Sequence, residues 1–170
     1  MSTRHAMLAV LTLGPAYGYQ LHGEVVERSG REKPLNAGQV YSTLDRLRRD
    51  GLVRSAGVSA DGLPLYELTE SGVAEAEHWL TEATGAHWND MIEQLLVSRS
   101  LPGRDCAPLV ASIRRTWLTR AAAAEGPRAS ATRLLAEAAL RWLDELPPAR
   151  AWGIRTDRPK RGRRKSPVAA

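Results

Sequence analysis

Apolar residues recur at helical spacing through the first fifty positions, then give way to short runs that suit strands. Met7, Leu8, Val10, Leu11 and Leu13 suit a short buried helix that Gly14-Pro15 breaks off. Leu21, Val25 and Val26 predict a second helix over about residues 19–28, stopping near Ser29-Gly30. A third starts at Asn36, a good N-cap, and ends before Gly51, with Val40, Leu44 and Leu47 forming one narrow stripe. Two strands, about 52–58 and 63–68, flank Ser59-Ala60-Asp61-Gly62, where Asp-Gly is a favoured hairpin turn. Thr69-Glu70-Ser71-Gly72 then opens a long helix to about Thr84. Helical patterns follow over about 87–100, 105–125 and 129–146, separated by Leu101-Pro102-Gly103 and Gly126-Pro127 and ended by Pro147-Pro148.

Three helices followed by a two-stranded hairpin is the order of a winged helix-turn-helix, in which the third helix enters the major groove and the hairpin lies along the phosphates. The expected fold is mainly α with a two-stranded β wing. Residues 1–72 would form the DNA-binding domain, 73–152 a helical dimerisation and possible ligand-sensing region, and 153–170 a basic disordered tail. The inward stripe of the third helix leaves Ser42, Asp45, Arg46 and Arg49 opposite, with Gly38 and Gln39 nearby. Short polar groups early and arginines later fit base edges read by the first turns and phosphates held further along. Gln39, Ser42 and Thr43 are the base-edge candidates, Thr43 nearer the buried side, and Arg46 suits a base or a phosphate. Gly38 costs helix propensity, which a close DNA backbone would offset. Arg54 and Gly62 are the wing's candidates. An amphipathic helix bearing arginines also serves as a plain solvated face, and Asp45 and Asp50 cancel part of its charge. The order of the five elements carries the reading more than any one residue.

Four motifs then bear a resemblance. Leu13-Gly14-Pro15-Ala16-Tyr17-Gly18-Tyr19-Gln20-Leu21 comes first, followed by Gly38-Gln39-Val40-Tyr41-Ser42-Thr43-Leu44-Asp45-Arg46-Leu47. Asp50-Gly51-Leu52-Val53 and Tyr66-Glu67-Leu68-Thr69-Glu70-Ser71-Gly72 complete the set. Together, over roughly residues 5–73, they resemble the PadR family of bacterial transcriptional regulators. The resemblance implies a homodimeric winged-helix repressor with a helical C-terminal dimerisation region, double-stranded operator DNA as partner, and release by a small aromatic or drug-like effector. It places Tyr17 and Tyr19 at the start of the second helix, close to the DNA backbone. Two positions depart from the family pattern. Leu63, Pro64 and Leu65 stand where wing arginines are common, and Ser42 stands where proline usually follows the tyrosine matched by Tyr41.

Charge matters once it is located. The 170-residue chain carries a net +5, yet residues 155–165 alone hold seven basic residues and one acid. Removing that +6 leaves a body of −1. Arg158, Lys160, Arg161, Arg163, Arg164 and Lys165 alternate with Pro159 and Gly162, a composition that stays solvated and suits phosphate contacts. A solubility tail is the other reading. Arginine outnumbers lysine 21 to 3, a bias that suggests a GC-rich bacterial genome.

The remaining chemistry is sparse. Cys106 is the single cysteine, so no internal disulfide forms, and His5, His22, His78 and His87 lack paired-ligand spacing. Neither metal nor cofactor is expected. No P-loop, nucleophile elbow, zincin or dinucleotide glycine pattern appears, so catalysis is not expected either. No 18-residue apolar run or convincing signal peptide is present, which predicts a cytoplasmic protein, associated with the nucleoid when on DNA, with no membrane partner.

All four tyrosines (Tyr17, Tyr19, Tyr41, Tyr66) precede residue 72, and all five tryptophans (Trp79, Trp88, Trp117, Trp142, Trp152) follow it. Tyrosine hydroxyls can reach phosphate, although core packing is the alternative, above all for Tyr66. The tryptophans suggest an aromatic effector pocket with Trp88 and Trp117 as walls and Asn89 as a polar contact. Their spacing also suits helical core or a dimer interface. A protein-interaction adaptor that kept the wing but lost specific DNA binding is the alternative function.

Overall fold

A computed structural model describes residues 3–30 and 35–155. Helices α1 (Thr3–Leu11), α2 (Gly18–Ser29) and α3 (Ala37–Arg49) precede strands β1 (Val53–Val58) and β2 (Pro64–Leu68). Helices α4 (Glu70–Thr81), α5 (Trp88–Arg99), α6 (Ala107–Ala122) and α7 (Ala129–Asp144) follow, α7 after a 3-10 turn at Gly126–Arg128. The expected mainly helical fold with a two-stranded wing is what the chain adopts.

The ends of these elements follow the local chemistry of their sequences. Asn36 accepts from the Gly38 N–H at 2.8 Å and starts α3, while Gly30 ends α2 in the left-handed region. Thr69 caps α4 through Gly72 N–H and ties the cap to the wing by donating its hydroxyl to the Gly51 carbonyl. β1 and β2 pair antiparallel, Val53 opposite Leu68, with an irregularity between Ser55 and Val58. One residue outside the two strands joins them by an isolated bridge. Ala16 and Tyr66 exchange both backbone bonds at 3.0 Å, fastening the α1–α2 loop to β2.

Two apolar clusters form. The first buries α1 almost whole (Met7, Leu8, Val10) with Leu21, Val25, Val40, Leu44, Leu47 and Val53. It also takes in Ala76, Trp79 and Leu80 of α4 and Val97 of α5, so packing continues across residue 72 without a break. The second joins Met91 and Leu95 of α5 to Leu109, Ile113 and Trp117 of α6 and Ala136, Ala139 and Leu143 of α7. Helix α5 thus contributes to both.

Gly153, Ile154 and Arg155 lie on α2, because their backbone groups meet the side chains of Glu24, Arg28 and Gln20 and Ile154 packs on the first cluster.

Candidate nucleic-acid interface

Helix α3 divides into two faces as its stripe predicts. Val40, Thr43, Leu44 and Leu47 are buried, while Gly38, Gln39, Tyr41, Ser42, Asp45, Arg46 and Arg49 are exposed. Thr43 is the exception among the base-edge candidates. It is 4% exposed and donates its hydroxyl to the Gln39 carbonyl at 2.7 Å, so it faces the core instead of a groove. Its oxygen also accepts from the Arg46 guanidinium at 3.4 Å, which gives Thr43 a part in orienting that arginine.

The outer face is preorganised by light contacts. Ser42 donates to the Gln39 carbonyl at 3.0 Å, and Arg46 and Arg49 lean back on the carbonyls of Ser42 and Asp45 at 3.4 Å each. Such long bonds are weak, so both guanidiniums can exchange them for a stronger anionic acceptor. Arg48 pairs loosely with Asp45 at 3.8 Å, and Asp50 is held by Arg4 from α1. Acid neutralisation therefore falls mainly on neighbours of Arg46 and Arg49.

Two tyrosines extend this face onto the start of α2. Tyr41 is half-exposed, with its ring over Gly18, the first residue of α2. Tyr19 is equally exposed and stacks on His22, whose Nε2 lies 2.7 Å from the Leu35 carbonyl just before the α3 cap. The beginnings of α2 and α3 thus form one surface carrying two phenol groups. Tyr17, the N-cap position of α2, is half-buried and makes no cap bond through its side chain. Tyr66 packs partly into the core.

The wing contributes little charge. Arg54 is its sole basic residue and pairs with Glu67 across the strands at 2.8 Å. Gly62 follows the turn in a left-handed conformation (φ +75°), closed by its N–H to the Ser59 carbonyl at 2.9 Å. Leu63 and Leu65 are partly buried and Pro64 is exposed, so apolar surface stands where the resemblance implies arginines. Lys160, Arg161, Arg163, Arg164 and Lys165 lie outside the described residues.

The three effector candidates differ in burial. Trp117 is fully buried and its indole N–H points at the Met91 sulfur, 3.1 Å away, because the α6 stripe faces α5 and α7. It is core and cannot wall an open pocket. Trp88 is half-buried against Trp142, with ring centres 6.3 Å apart, and Asn89 is exposed. An open groove of about 330 Å³ runs along α7 instead, lined by Leu134, Glu137, Ala138, Arg141, Trp142 and Glu145.

Sequence reasoning missed a buried ionic cluster. Glu24 and Arg28 are each 2% exposed and bonded at 2.9 Å. Burial works to raise the Glu24 carboxyl, yet the backbone N–H of Arg155 and the Arg28 charge outweigh it and hold the group below the ordinary glutamate range. Burial likewise lowers Arg28, with Glu24 opposing. The i, i+4 spacing of the pair was visible, but such spacing is usually a surface pair. Among the described residues there is no cluster that could hold a metal ion and no helix long and apolar enough to cross a membrane.

Residues 7–78 match the family model described as Transcriptional regulator PadR-like family. Among solved structures, the chain is similar to the crystal structure of Bacillus subtilis PadR in complex with operator DNA. The TM-score is 0.42 at 18% identity, covering 84% of this chain and 94% of that one. No curated protein sequence matches the chain.

Proposed function

We propose, from the match of residues 7–78 to the PadR-like family of transcriptional regulators, that the chain is a homodimeric, non-enzymatic repressor working on operator DNA in the bacterial cytoplasm. One observation carries the reading: the exposed face of α3 presents Gln39, Tyr41, Ser42, Arg46 and Arg49 on one surface with Tyr19. Gln39 and Ser42 read base edges. Arg46 takes a base or a phosphate, and Arg49, Arg54, Tyr17, Tyr19 and Tyr41 hold the backbone, with Gly38 and Gly62 leaving room for it. Thr43 acts from behind, through Arg46.

A second copy covers the outer side of α6 and α7. Leu118, Leu134 and Leu135 are 52%, 65% and 37% exposed there, an apolar cost that a partner removes. Two α3 helices about 34–36 Å apart would read successive turns of the major groove. An aromatic effector releases the dimer by stacking at the Trp88–Trp142 pair, provided it favours an arrangement in which the two α3 helices no longer fit the operator.

The test is fluorescence anisotropy with duplexes from the region upstream of the chain's own gene, against random duplex of equal length. The expected result is a preference of about a thousandfold or more at physiological salt. Equal affinity for every sequence would instead support an adaptor, the reading that the single wing cation favours. Light scattering that shows a monomer with specific binding intact would end the dimer claim. A ligand that quenches tryptophan emission yet leaves DNA affinity untouched would end the claim of effector release.

A further inference from the structure

Three segments far apart in the chain meet at Arg28, a residue of α2 that is 2% exposed. Its guanidinium donates to Glu24 on the same helix (2.9 Å), to the Ser100 carbonyl and hydroxyl (2.8 and 3.0 Å), and to the carbonyls of Trp152 and Gly153 (2.9 and 3.1 Å). Arg28 Cζ also lies 4.5 Å from the centre of the Trp152 ring. Glu24 accepts from the Trp152 indole (3.2 Å) and from the backbone N–H of Arg155 (2.9 Å). Ser100 caps α5, where the chain leaves for α6, and its carbonyl also accepts the Trp152 N–H at 3.1 Å. Arg99, the last residue of α5, donates to the Pro147 carbonyl just beyond α7. Helix α2, the α5–α6 junction and the chain returning from α7 are pinned at one node.

The node lies where the helix pair α6–α7 joins the rest of the chain. That pair packs on α5 through the second apolar cluster, Ile113 and Trp117 of α6 and Leu143 of α7 against Met91 and Leu95. Apolar contact is non-directional and leaves the crossing angle loosely set. Polar ties from α6 reach the end of α4, where Ser112 donates to Glu82 at 2.7 Å and accepts the Ala83 N–H at 3.0 Å. One end of the helix pair is thus fixed at α4 and the other, through residues 147–155, at Ser100 and α2. Two such attachments fix an angle that one leaves free. A buried ion pair is a costly fastening, since apolar side chains of similar volume often hold as well or better. What the charged version adds is direction. The carbonyls of Ser100, Trp152 and Gly153 must all face one guanidinium, which restricts how the three segments can be arranged.

We propose that the Arg28 node determines which operator half-site spacing the dimer accepts. It fixes the angle between α6–α7, on which the second copy sits, and α2, against which α3 packs through Leu21, Val25 and Val40. That angle sets the separation and orientation of the two recognition helices. The proposal rests on the reading of the chain as a homodimeric DNA-binding regulator. Glu24, Arg28 and Trp152 are positioning residues in it and touch no DNA. One base pair added between half-sites moves the second by about 3.4 Å and turns it by about 35°, so a loosely set angle would tolerate what a fixed one rejects.

The whole chain is compared with the double variant Trp152→Ala/Arg155→Ala and with a form carrying a short Gly/Ser linker inserted between Leu146 and Pro147. The linker form keeps the bonds of residues 147–155 and frees them only from α7, so it guards against misfolding of the double variant. Two measurements are made on each. The first places a nitroxide on the exposed side of α3 (Asp45→Cys with the single native cysteine removed by Cys106→Ser) and reads the distance between the two labels of the dimer by pulsed electron paramagnetic resonance. The whole chain should give one narrow distribution and both altered forms a broader one. The second measures affinity for the preferred sequence with one or two base pairs added or removed between half-sites. The whole chain should lose about tenfold or more for a single base pair, as for a mismatch, and the altered forms about threefold or less. All three should bind a lone half-site equally, which a damaged winged domain would not do. Equal label widths in the three dimers, or one spacing profile shared by all three, overturns the proposal. A monomer by light scattering brings down the dimer reading and this inference with it. If no sequence is preferred while the label widths differ as expected, the repressor reading fails and the node's control of α3 separation stands.

Discussion

The ring of Tyr41 occupies the space that a side chain on Gly18 would need: a Cβ there would lie 2.5 Å from Tyr41 Cε1. The α3 tyrosine is thereby set by the absence of an atom on α2. Gly18→Ala should leave the fold intact, because the obstructing group is the far end of an exposed side chain, and should swing the phenol off the surface. We expect a melting temperature near wild type with weaker DNA binding. Tyr41→Ala should weaken binding similarly, and the double variant should add nothing further, since both act through one contact. Full additivity of the two effects would show that Gly18 acts by another route.

Gly72 answers to a different constraint. A Cβ on it would lie 1.9 Å from the Leu52 carbonyl oxygen, and that carbonyl also accepts the Thr69 N–H. Backbone cannot rotate aside as a ring can, so α4 and the root of the wing must separate. Gly72→Ala should destabilise by about 1–3 kcal/mol, in the range of overpacked cores. Thr69→Ala, which removes the cap, should cost about 1 kcal/mol. Urea unfolding followed by far-UV circular dichroism measures both, and a Gly72→Ala midpoint equal to wild type would refute the clash.

Much of this architecture is legible in the sequence, for identifiable reasons. Asn36 and Thr69 are caps whose partners lie two and three residues on, and the α3 stripe needs only its own spacing. Such signals are local. The Ala16–Tyr66 bridge, the burial of Glu24 and Arg28, and the return of residues 152–155 to α2 span tens to more than a hundred positions, and no periodicity announces them. The site shows the same split. The exposure of Gln39, Ser42, Arg46 and Arg49 follows from the helical wheel. Trp117, by contrast, carries the same spacing whether it faces a ligand or the core, and only the docking of α6 against α5 decides.

The Glu24 cluster should respond to acid. Arg28, Arg155 and Glu27 are the charged groups around the Glu24 carboxyl, and its folded pKa lies below the ordinary glutamate value. A lowered carboxyl contributes stability that is full above that ordinary value and is lost as pH falls through the folded one. As pH falls through that lowered value, the contact of residues 152–155 with α2 should therefore loosen, seen as a change in Trp152 emission obtained by difference from Trp152→Phe. Glu24→Gln should remove that transition. Arg28→Met alone should cost about 3–5 kcal/mol by leaving Glu24 buried and unpaired, and Arg28→Met/Glu24→Leu should recover much of it. An acid transition persisting unchanged in Glu24→Gln would assign it to another carboxylate.

Arg46 and Arg49 sit one turn apart along the exposed side of α3, and their roles can be separated by how the effect of removing each distributes over sequences. Arg46 is steered by Thr43 and Ser42 from the inner and outer sides, a placement suited to a bidentate guanine contact. Arg49, near the end of the helix and leaning on the Asp45 carbonyl, is the proposed phosphate contact. Arg46→Ala should cost about 1–3 kcal/mol on the preferred site and flatten discrimination at one base position. Arg49→Ala should weaken all duplexes by similar factors and reduce the salt slope by about one. Thr43→Val, which keeps the shape and removes the oxygen that holds Arg46, should reproduce part of the Arg46→Ala specificity loss without changing that slope. Competition binding over a library varied one base at a time reads all three. A uniform loss for Arg46→Ala would move that residue to the phosphates, and a base-specific loss for Arg49→Ala would reverse the assignment.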